Sequence, residues 1–202
     1  VVVYILGQFG IKLNALLGAA GIAGIAIGFA AQTSISNIIS GFFVLWERAL
    51  QIGDNITIDD VTGTVQSIDL LSVRIVTPDN QMIRIPNETI INSKLINATY
   101  FPVRRLTVRV SVSYNSDMEK VMEVLKKVPD MCPTVIKEPA PVVFYDGFES
   151  SRIAIVLGVW FNKADFLATK NAVYLGIKKA FDEAEIEIPF EQIVVRTVQE
   201  DE

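Results

Sequence analysis

The chain has 202 residues, half of them apolar, with a mean hydropathy of +0.39 and a formal net charge of −5. This acidic balance argues against a nucleic-acid-binding protein, which normally carries a basic patch. A single cysteine and the lack of histidine exclude a disulfide framework and argue against a zinc site.

The first residues are strongly apolar. Val1 to Leu6 resemble the last part of a membrane helix, and 7–12 have the glycines of a turn. We therefore expect residues 1–12 to hold the end of a preceding membrane helix and a connecting turn.

The next segment is apolar but built largely of small residues. Between Asn14 and Gln32 there is no polar side chain, and most positions are glycine, alanine or isoleucine. Glycine is about 1 kcal/mol less favourable than alanine inside a helix, so its repeated use needs a compensating gain. Close approach between membrane helices is such a gain. The sequence therefore predicts a membrane helix, within residues 13–50, that packs against copies of itself.

A polar interruption follows this apolar run. Gln32, Thr33 and Ser34 precede a second apolar stretch that ends at Trp46 beside charged residues, as in helices near a membrane interface. We predict a bend near residues 32–34. The alternative is one continuous helix with a polar patch.

Residues 51–100 change to short segments with alternating apolar and polar residues. Such segments, separated by Asp- and Pro-rich turns, indicate strands of a small antiparallel β domain. The predicted strands are 55–58, 63–68, 72–77 and 81–85, and the sheet that they form ends near Pro86 and Asn87.

Residues 101–188 read as a second, mixed domain. The order of predicted elements is β-α-β-β-α-β, the split βαβ arrangement of a ferredoxin-like sandwich. The first helix would be capped by Ser116 or Asp117, and Asp146-Gly147 would join two strands. The predicted strands are 105–114, 142–145, 152–161 and 193–198, and the helices are 117–128 and 165–184. Pro189 directs the last strand away from this sheet, so 189–202 would be a separate strand and tail.

At about 100° per residue, the small residues of the membrane helix fall on two opposite sides. With Gly21 at zero, the glycines lie between about −60° and 0° and the alanines between about 140° and 200°. These positions are Gly21, Gly24 and Gly28 on one side and Ala19, Ala23, Ala26 and Ala30 on the other. Opposite, complementary sides favour head-to-tail contacts that close into a ring. The alternative is a dimer through Gly24 and Gly28.

The sides between these two seams carry larger residues. Ile22, Ile25 and Phe29 share one of them, and Leu16, Ala20, Ile27 and Ala31 share the other. In a ring, one side faces the axis. Rings of Ile25 and Phe29 around an axis would block ions by dewetting.

Nearly the whole sequence resembles the family of mechanosensitive channels of small conductance. The resemblance rests on 18–21 (GAAG), 24–32 (GIAIGFAAQ), 34–37 (SISN), Gly41, 46–54 (WERALQIGD), 63–65 (GTV), 74–79 (RIVTPD), 85–87 (IPN) and 102–105 (PVRR). It implies a membrane protein of mixed α and β structure, namely a homoheptamer with a pore-lining transmembrane helix, an Sm-like β domain and a ferredoxin-like α+β vestibule domain. It also implies a β-barrel of C-terminal strands, about 193–198, and further membrane helices upstream.

The resemblance also implies roles for single residues. Ile25 and Phe29 match the two apolar gate positions, and Gly21, Gly24 and Gly28 match the packing glycines, with Ala26 as the knob between them. Gln32 and Thr33 match a bend, with threonine where the family often has glycine, and Gly41 matches a second hinge.

The implied function is a channel gated by membrane tension that releases ions and small osmolytes on hypo-osmotic shock. The implied location is a prokaryotic inner (plasma) membrane, with several spans and with the C-terminal domains cytoplasmic. The expected partners are copies of the chain, membrane lipids and permeating ions, with no nucleic acid and no cofactor.

Two other classes compete with this interpretation. A membrane-anchored, oligomeric binding module with a non-conducting helix bundle would need the same apolar segment. An enzyme would need a reactive constellation, but the available acids, Asp59, Asp60, Asp146 and Glu149, lie in turn-like contexts where solvated carboxylates are usual. We therefore expect no catalysis.

Overall fold

The computed structural model describes residues 13–193 and the side chains from residue 16 onward. The chain divides into two compact units, with the boundary between Tyr100 and Phe101. The apolar start at 1–12 and the expected terminal strand beyond Ile193 lie outside the described residues, and Ile193 itself is in no strand.

The first unit begins with one long helix, α1 (Leu13–Glu47, 35 residues). Its hydrogen-bonded pattern continues through Gln32 and Thr33, so the structure shows the continuous helix and not an interruption at 32–34. Sharp kinks need proline, paired small residues or an inserted group. Gln32-Thr33-Ser34 contains no proline or glycine, and the helix continues past it. Gln32 and Thr33 as a bend therefore stay a prediction about motion.

A five-stranded antiparallel sheet follows α1. Its strands are β1 (Asn55–Ile58), β2 (Val61–Ile68), β3 (Ser72–Val76), β4 (Met82–Pro86) and β5 (Leu95–Asn97). The order across the sheet is β4-β3-β2-β1-β5, a meander whose last strand returns beside the first. A short helix, α2 (Asn87–Asn92), joins β4 to β5. The sequence did not predict α2 or β5, so the prediction that the sheet ends near Asn87 is wrong.

The apolar residues of alternate strand positions form the core of this unit. Ile56, Val65, Val73 and Ile75 are almost completely buried there. Val44 from α1 belongs to the same cluster. The last turns of α1 are therefore part of the folded β domain.

The second unit combines a sheet with two helices. Its elements are β6 (Val103–Val112), α3 (Met118–Lys127), β7 (Val135–Ile136), β8 (Val142–Phe148), β9 (Ile153–Asn162) and α4 (Phe166–Glu183). Strand β9 is central, with β6 on one side and β7 and β8 on the other, all antiparallel. This is the predicted split βαβ order as far as α4, with the additional two-residue strand β7.

Local signals set the ends of these elements. Asp117 caps α3, because its Oδ1 accepts hydrogen bonds from the backbone N–H groups of Glu119 and Lys120 at 3.0 and 3.2 Å. The prediction that Asp146-Gly147 joins two strands is wrong. Strand β8 continues to Phe148, and its register shifts at Asp146 to form a bulge. Asp-Gly therefore lies within one strand as a β-bulge and does not form a turn between two strands.

Helices α3 and α4 share a core with one face of the sheet. Val108, Leu125, Leu157, Phe161 and Phe181 are each at most 1% exposed in that cluster. The amphipathic pattern of α3, with charges outside and Val121 and Leu125 inside, is the reason that it packs on the sheet.

Candidate channel helix and its anchor on the β domain

Helix α1 is longer than a membrane is thick. At 1.5 Å per residue its 35 residues extend about 52 Å, whereas a bilayer core measures about 30 Å. Residues Leu16–Glu47 are apolar enough to cross a membrane, and the apolar window is not buried inside the chain. The membrane-spanning part of α1 therefore has no covering from the described residues.

The two predicted gate residues lie on an open strip of α1. Ile25 and Phe29 are 62% and 73% exposed. They line one shallow surface depression together with Gly28, Gln32, Ile35, Ser36 and Ile39. The structure thus places both predicted gate residues, one packing glycine and one predicted bend residue on a single apolar surface.

The glycines of α1 divide into two groups by their surroundings. A Cβ atom added at Gly18, Gly21, Gly24 or Gly28 would meet no atom within 4 Å. At Gly41 the same atom would come within 2.4 Å of Asn87 Nδ2 and 2.7 Å of the Leu70 carbonyl oxygen. Contacts among residues 13–193 account for glycine at 41 and give no reason for glycine at the other four positions.

The last turns of α1 are anchored on the β domain. Val44 is 1% exposed, and Asn37 and Ser40 are also buried. With Gly41, these residues recur at i, i+3, i+4 and i+7, which is one face of a helix. In the angular frame used above they lie between about 100° and 200°, the side of the alanines rather than of Ile25.

Two asparagines hold this anchor. The Asn87 Nδ2 group donates to the carbonyl oxygens of Asn37, Asp69 and Leu70 at 3.3, 3.1 and 2.9 Å. In return, the backbone N–H of Glu88 donates to Asn37 Oδ1 at 3.1 Å, and Asn37 Nδ2 donates to the Thr33 carbonyl at 2.8 Å. Asn87 is fully buried, so leaving its Nδ2 group without these acceptors would be costly.

Sequence reasoning gave no role to this asparagine pair. The available signal was the position of Asn87 directly after a strand and of Asn37 among the polar residues that follow the apolar run of α1. Neither position indicates the other, because they are 50 residues apart in the chain.

The acids considered for catalysis have ordinary structural surroundings. Asp59 is in a tight turn with a positive φ of 51°. Asp146 forms an ion pair with Arg109, and Glu149 with Arg152. Asp146 lies in the bulge of β8, where the strand register shifts, and not in a turn. Among residues 13–193, no group of three or more Cys, Asp or Glu side chains could hold a metal ion.

A long apolar helix that the described residues leave uncovered, followed by a folded β domain, is typical of a membrane protein. Three family models match the chain. They are transmembrane helices 2/3 of mechanosensitive ion channels at residues 1–32, the β domain at 33–100 and the MscS C-terminal domain at 106–188. The chain belongs to the MscS family of mechanosensitive ion channels, a family of channels rather than enzymes.

Individual relatives agree with these models. An uncharacterized MscS family protein of Archaeoglobus fulgidus is 37% identical over 191 residues, covering 95% of this chain and 68% of its own. The small-conductance mechanosensitive channel of Edwardsiella ictaluri is 32% identical over 177 residues, covering 88% of this chain and 62% of its own. The chain therefore spans about two thirds of the length of these relatives.

A solved structure has the same fold. The crystal structure of Helicobacter pylori MscS in its closed state matches with a TM-score of 0.87 at 26% identity, covering 96% of this chain and 78% of that one. The expected combination of a membrane helix, a β domain and an α+β domain is confirmed by this match and by the family models.

Proposed function

We propose that this protein is a homo-oligomeric channel, a heptamer by its family resemblance, that opens under membrane tension and releases ions and small osmolytes. It would lie in a prokaryotic plasma membrane with its β and α+β domains in the cytoplasm. The observation that supports this proposal is the contrast along α1 between a membrane half that the described residues leave uncovered and a half that is anchored in the β domain.

The glycines supply the argument for a ring of helices. Gly21, Gly24 and Gly28 each cost the helix about 1 kcal/mol relative to alanine, and no contact among the described residues explains them. A close neighbouring helix would explain them, since small residues allow backbones to approach. The alanine side of one subunit, with Ala19, Ala23, Ala26 and Ala30, would press against this glycine side of the next.

With those two sides in contact, either the side of Ile25 and Phe29 or the side of Ile27 would face the axis. The family resemblance favours Ile25 and Phe29, which would then form two apolar rings one helical turn apart. A narrow apolar constriction excludes water and therefore ions. Tension favours the state of larger area in the membrane plane, and it can act only through that difference between states. In the wider state these rings withdraw from the axis and water enters, with Gln32, Thr33 and Gly41 as the positions where α1 would yield.

The test is patch recording of the reconstituted protein with Ile25→Ser and Phe29→Ser. We expect each change to lower the opening threshold or to give leak currents, because a hydroxyl wets the constriction. Ile27→Ser is the matched control, as Ile27 is 68% exposed and lies on the opposite side of α1. Unchanged threshold, conductance and closure in both gate variants would contradict the assignment of these residues.

A further inference from the structure

A small cavity lies between α1 and the β domain, within the first unit. It has a volume of about 290 Å³ and is lined by Thr33, Ser34, Asn37, Leu71, Arg84 and Pro86. Thr33 is also one of the proposed bend positions, but none of these residues is on the side of α1 that carries the proposed gate residues. On α1, Thr33 and Ser34 lie at about 120° and 220°, whereas Ile25 and Phe29 lie at about 40° and 80°.

The depth of this cavity follows from the length of the apolar segment. Residues 13–32 extend about 30 Å as a helix, the thickness of a bilayer core. The transmembrane family model ends at residue 32 and the β-domain model begins at 33. With residues 13–32 spanning the bilayer core, as proposed, the cavity at Thr33 and Ser34 would be at the level of the phospholipid headgroups.

Among the described residues, no carboxylate balances the positive charge of Arg84 at the cavity. Arg84 on β4 lies directly opposite Arg74 on β3, an arrangement of like charges that is destabilising by itself. Asp69 forms an ion pair with Arg74 at 3.3 Å. Arg84 donates a hydrogen bond from Nε to the Ser72 hydroxyl oxygen at 2.9 Å. Within residues 13–193 it forms no ion pair with a carboxylate.

The other lining groups suit a phosphate diester. The hydroxyl groups of Thr33 and Ser34 can donate hydrogen bonds, and no carboxylate is among the described residues that line the cavity. Leu71 and Pro86 supply apolar surface beside them. Guanidinium groups are especially suited to phosphate because they donate two parallel hydrogen bonds.

We propose that this cavity binds the phosphate group of a membrane phospholipid, with Arg84 as the charged ligand and Thr33 and Ser34 as hydroxyl donors. The bound lipid would link the end of the membrane-spanning part of α1 to strand β4. The proposal depends on the membrane insertion of α1 and does not depend on gating by tension.

The test is native mass spectrometry of the delipidated oligomer in detergent, titrated with phosphatidylglycerol. We expect the wild type to bind the lipid about tenfold more tightly than Arg84→Gln, since hydrogen bonds to charged groups are the stronger ones. Thr33→Val, which keeps the shape of the side chain, should weaken binding roughly threefold. Arg74→Gln removes the same charge one strand away and should change binding less than about twofold.

Equal binding by the wild type and Arg84→Gln would overturn the proposal, as would an equal loss in Arg74→Gln, which would indicate general attraction. If Arg84→Gln fails to assemble, the Thr33→Val result decides. Titration with inorganic phosphate tests the other source of the same chemistry. Binding of phosphate that depends on Arg84, without lipid binding, would also overturn the lipid assignment. Loss of lipid binding with normal tension gating would leave the proposed function intact.

Discussion

Gly41 offers a direct test of the anchor between α1 and the β domain. In Gly41→Ala, the new methyl group would lie 2.4 Å from Asn87 Nδ2 and 2.7 Å from the Leu70 carbonyl oxygen. Neither atom belongs to a flexible side-chain end, because Asn87 is fully buried and is held by three carbonyl groups. The methyl group must therefore displace the asparagine or the helix.

The expected cost is the sum of three effects. Overpacking of a core typically costs 1–3 kcal/mol, roughly 2 here. Loss of hydrogen bonds to a buried amide costs about 1–3 kcal/mol. Alanine in place of glycine stabilises the helix by about 1 kcal/mol, which offsets part of this cost. The net destabilisation is therefore about 3 kcal/mol, which lowers the unfolding midpoint of a protein of this size by roughly 6–12 °C.

Thermal unfolding of the purified protein in detergent measures this shift. Gly18→Ala is the matched control, because it is the same change in the same helix and its methyl group meets no atom within 4 Å. It should leave the midpoint equal or slightly higher. Equal shifts in the two variants would refute the argument that Gly41 is required by close contact with Asn87.

Three further predictions concern single positions. Asn37→Ala removes the acceptor for the Glu88 N–H and should speed hydrogen exchange of that amide about tenfold, measured by mass spectrometry of the α2 peptide. Gly24→Ala should favour the isolated helix by about 1 kcal/mol yet raise the tension threshold in patch recordings, because the added methyl group hinders helix contact between subunits. Burial raises the pKa of the Cys132 thiol, so its thiolate is scarcer than that of a free cysteine at any given pH. Its labelling by iodoacetamide should be slower than that of a free thiol and increase with pH, and stability should fall as pH rises through the pKa of the unfolded thiol.

The sequence pattern predicts most strands, because their alternation of buried and exposed residues is regular. Ile56, Val65 and Ile75 point into the core as the period of two requires. The same reasoning missed β5 because three residues, Leu95–Asn97, are too few to show a period. It also misread Asp146-Gly147, because a bulge and a turn use the same residue types.

The site divides in a similar way. The faces of α1 follow from helical periodicity, so Ile25 and Phe29 could be placed on one surface from sequence alone. The anchor could not be placed, because the Asn37–Glu88 hydrogen bond joins positions 51 residues apart and depends on the tertiary fold. The cavity at Arg84 has the same origin, since Thr33 and Arg84 meet only after the sheet has formed.

The continuity of α1 adds a geometric constraint that can be tested. Because α1 is one helix from Leu13 to Glu47, the buried position of Val44 fixes the rotational setting of Ile25. Inserting one alanine after Ser34 would rotate the membrane half by about 100° relative to the anchor, whereas four alanines would rotate it by only about 40°. We expect the single insertion to abolish normal gating in patch recordings and the fourfold insertion to retain more of it, despite its greater length. If the single insertion gated normally and the longer one failed, the anchor would not set the orientation of the gate.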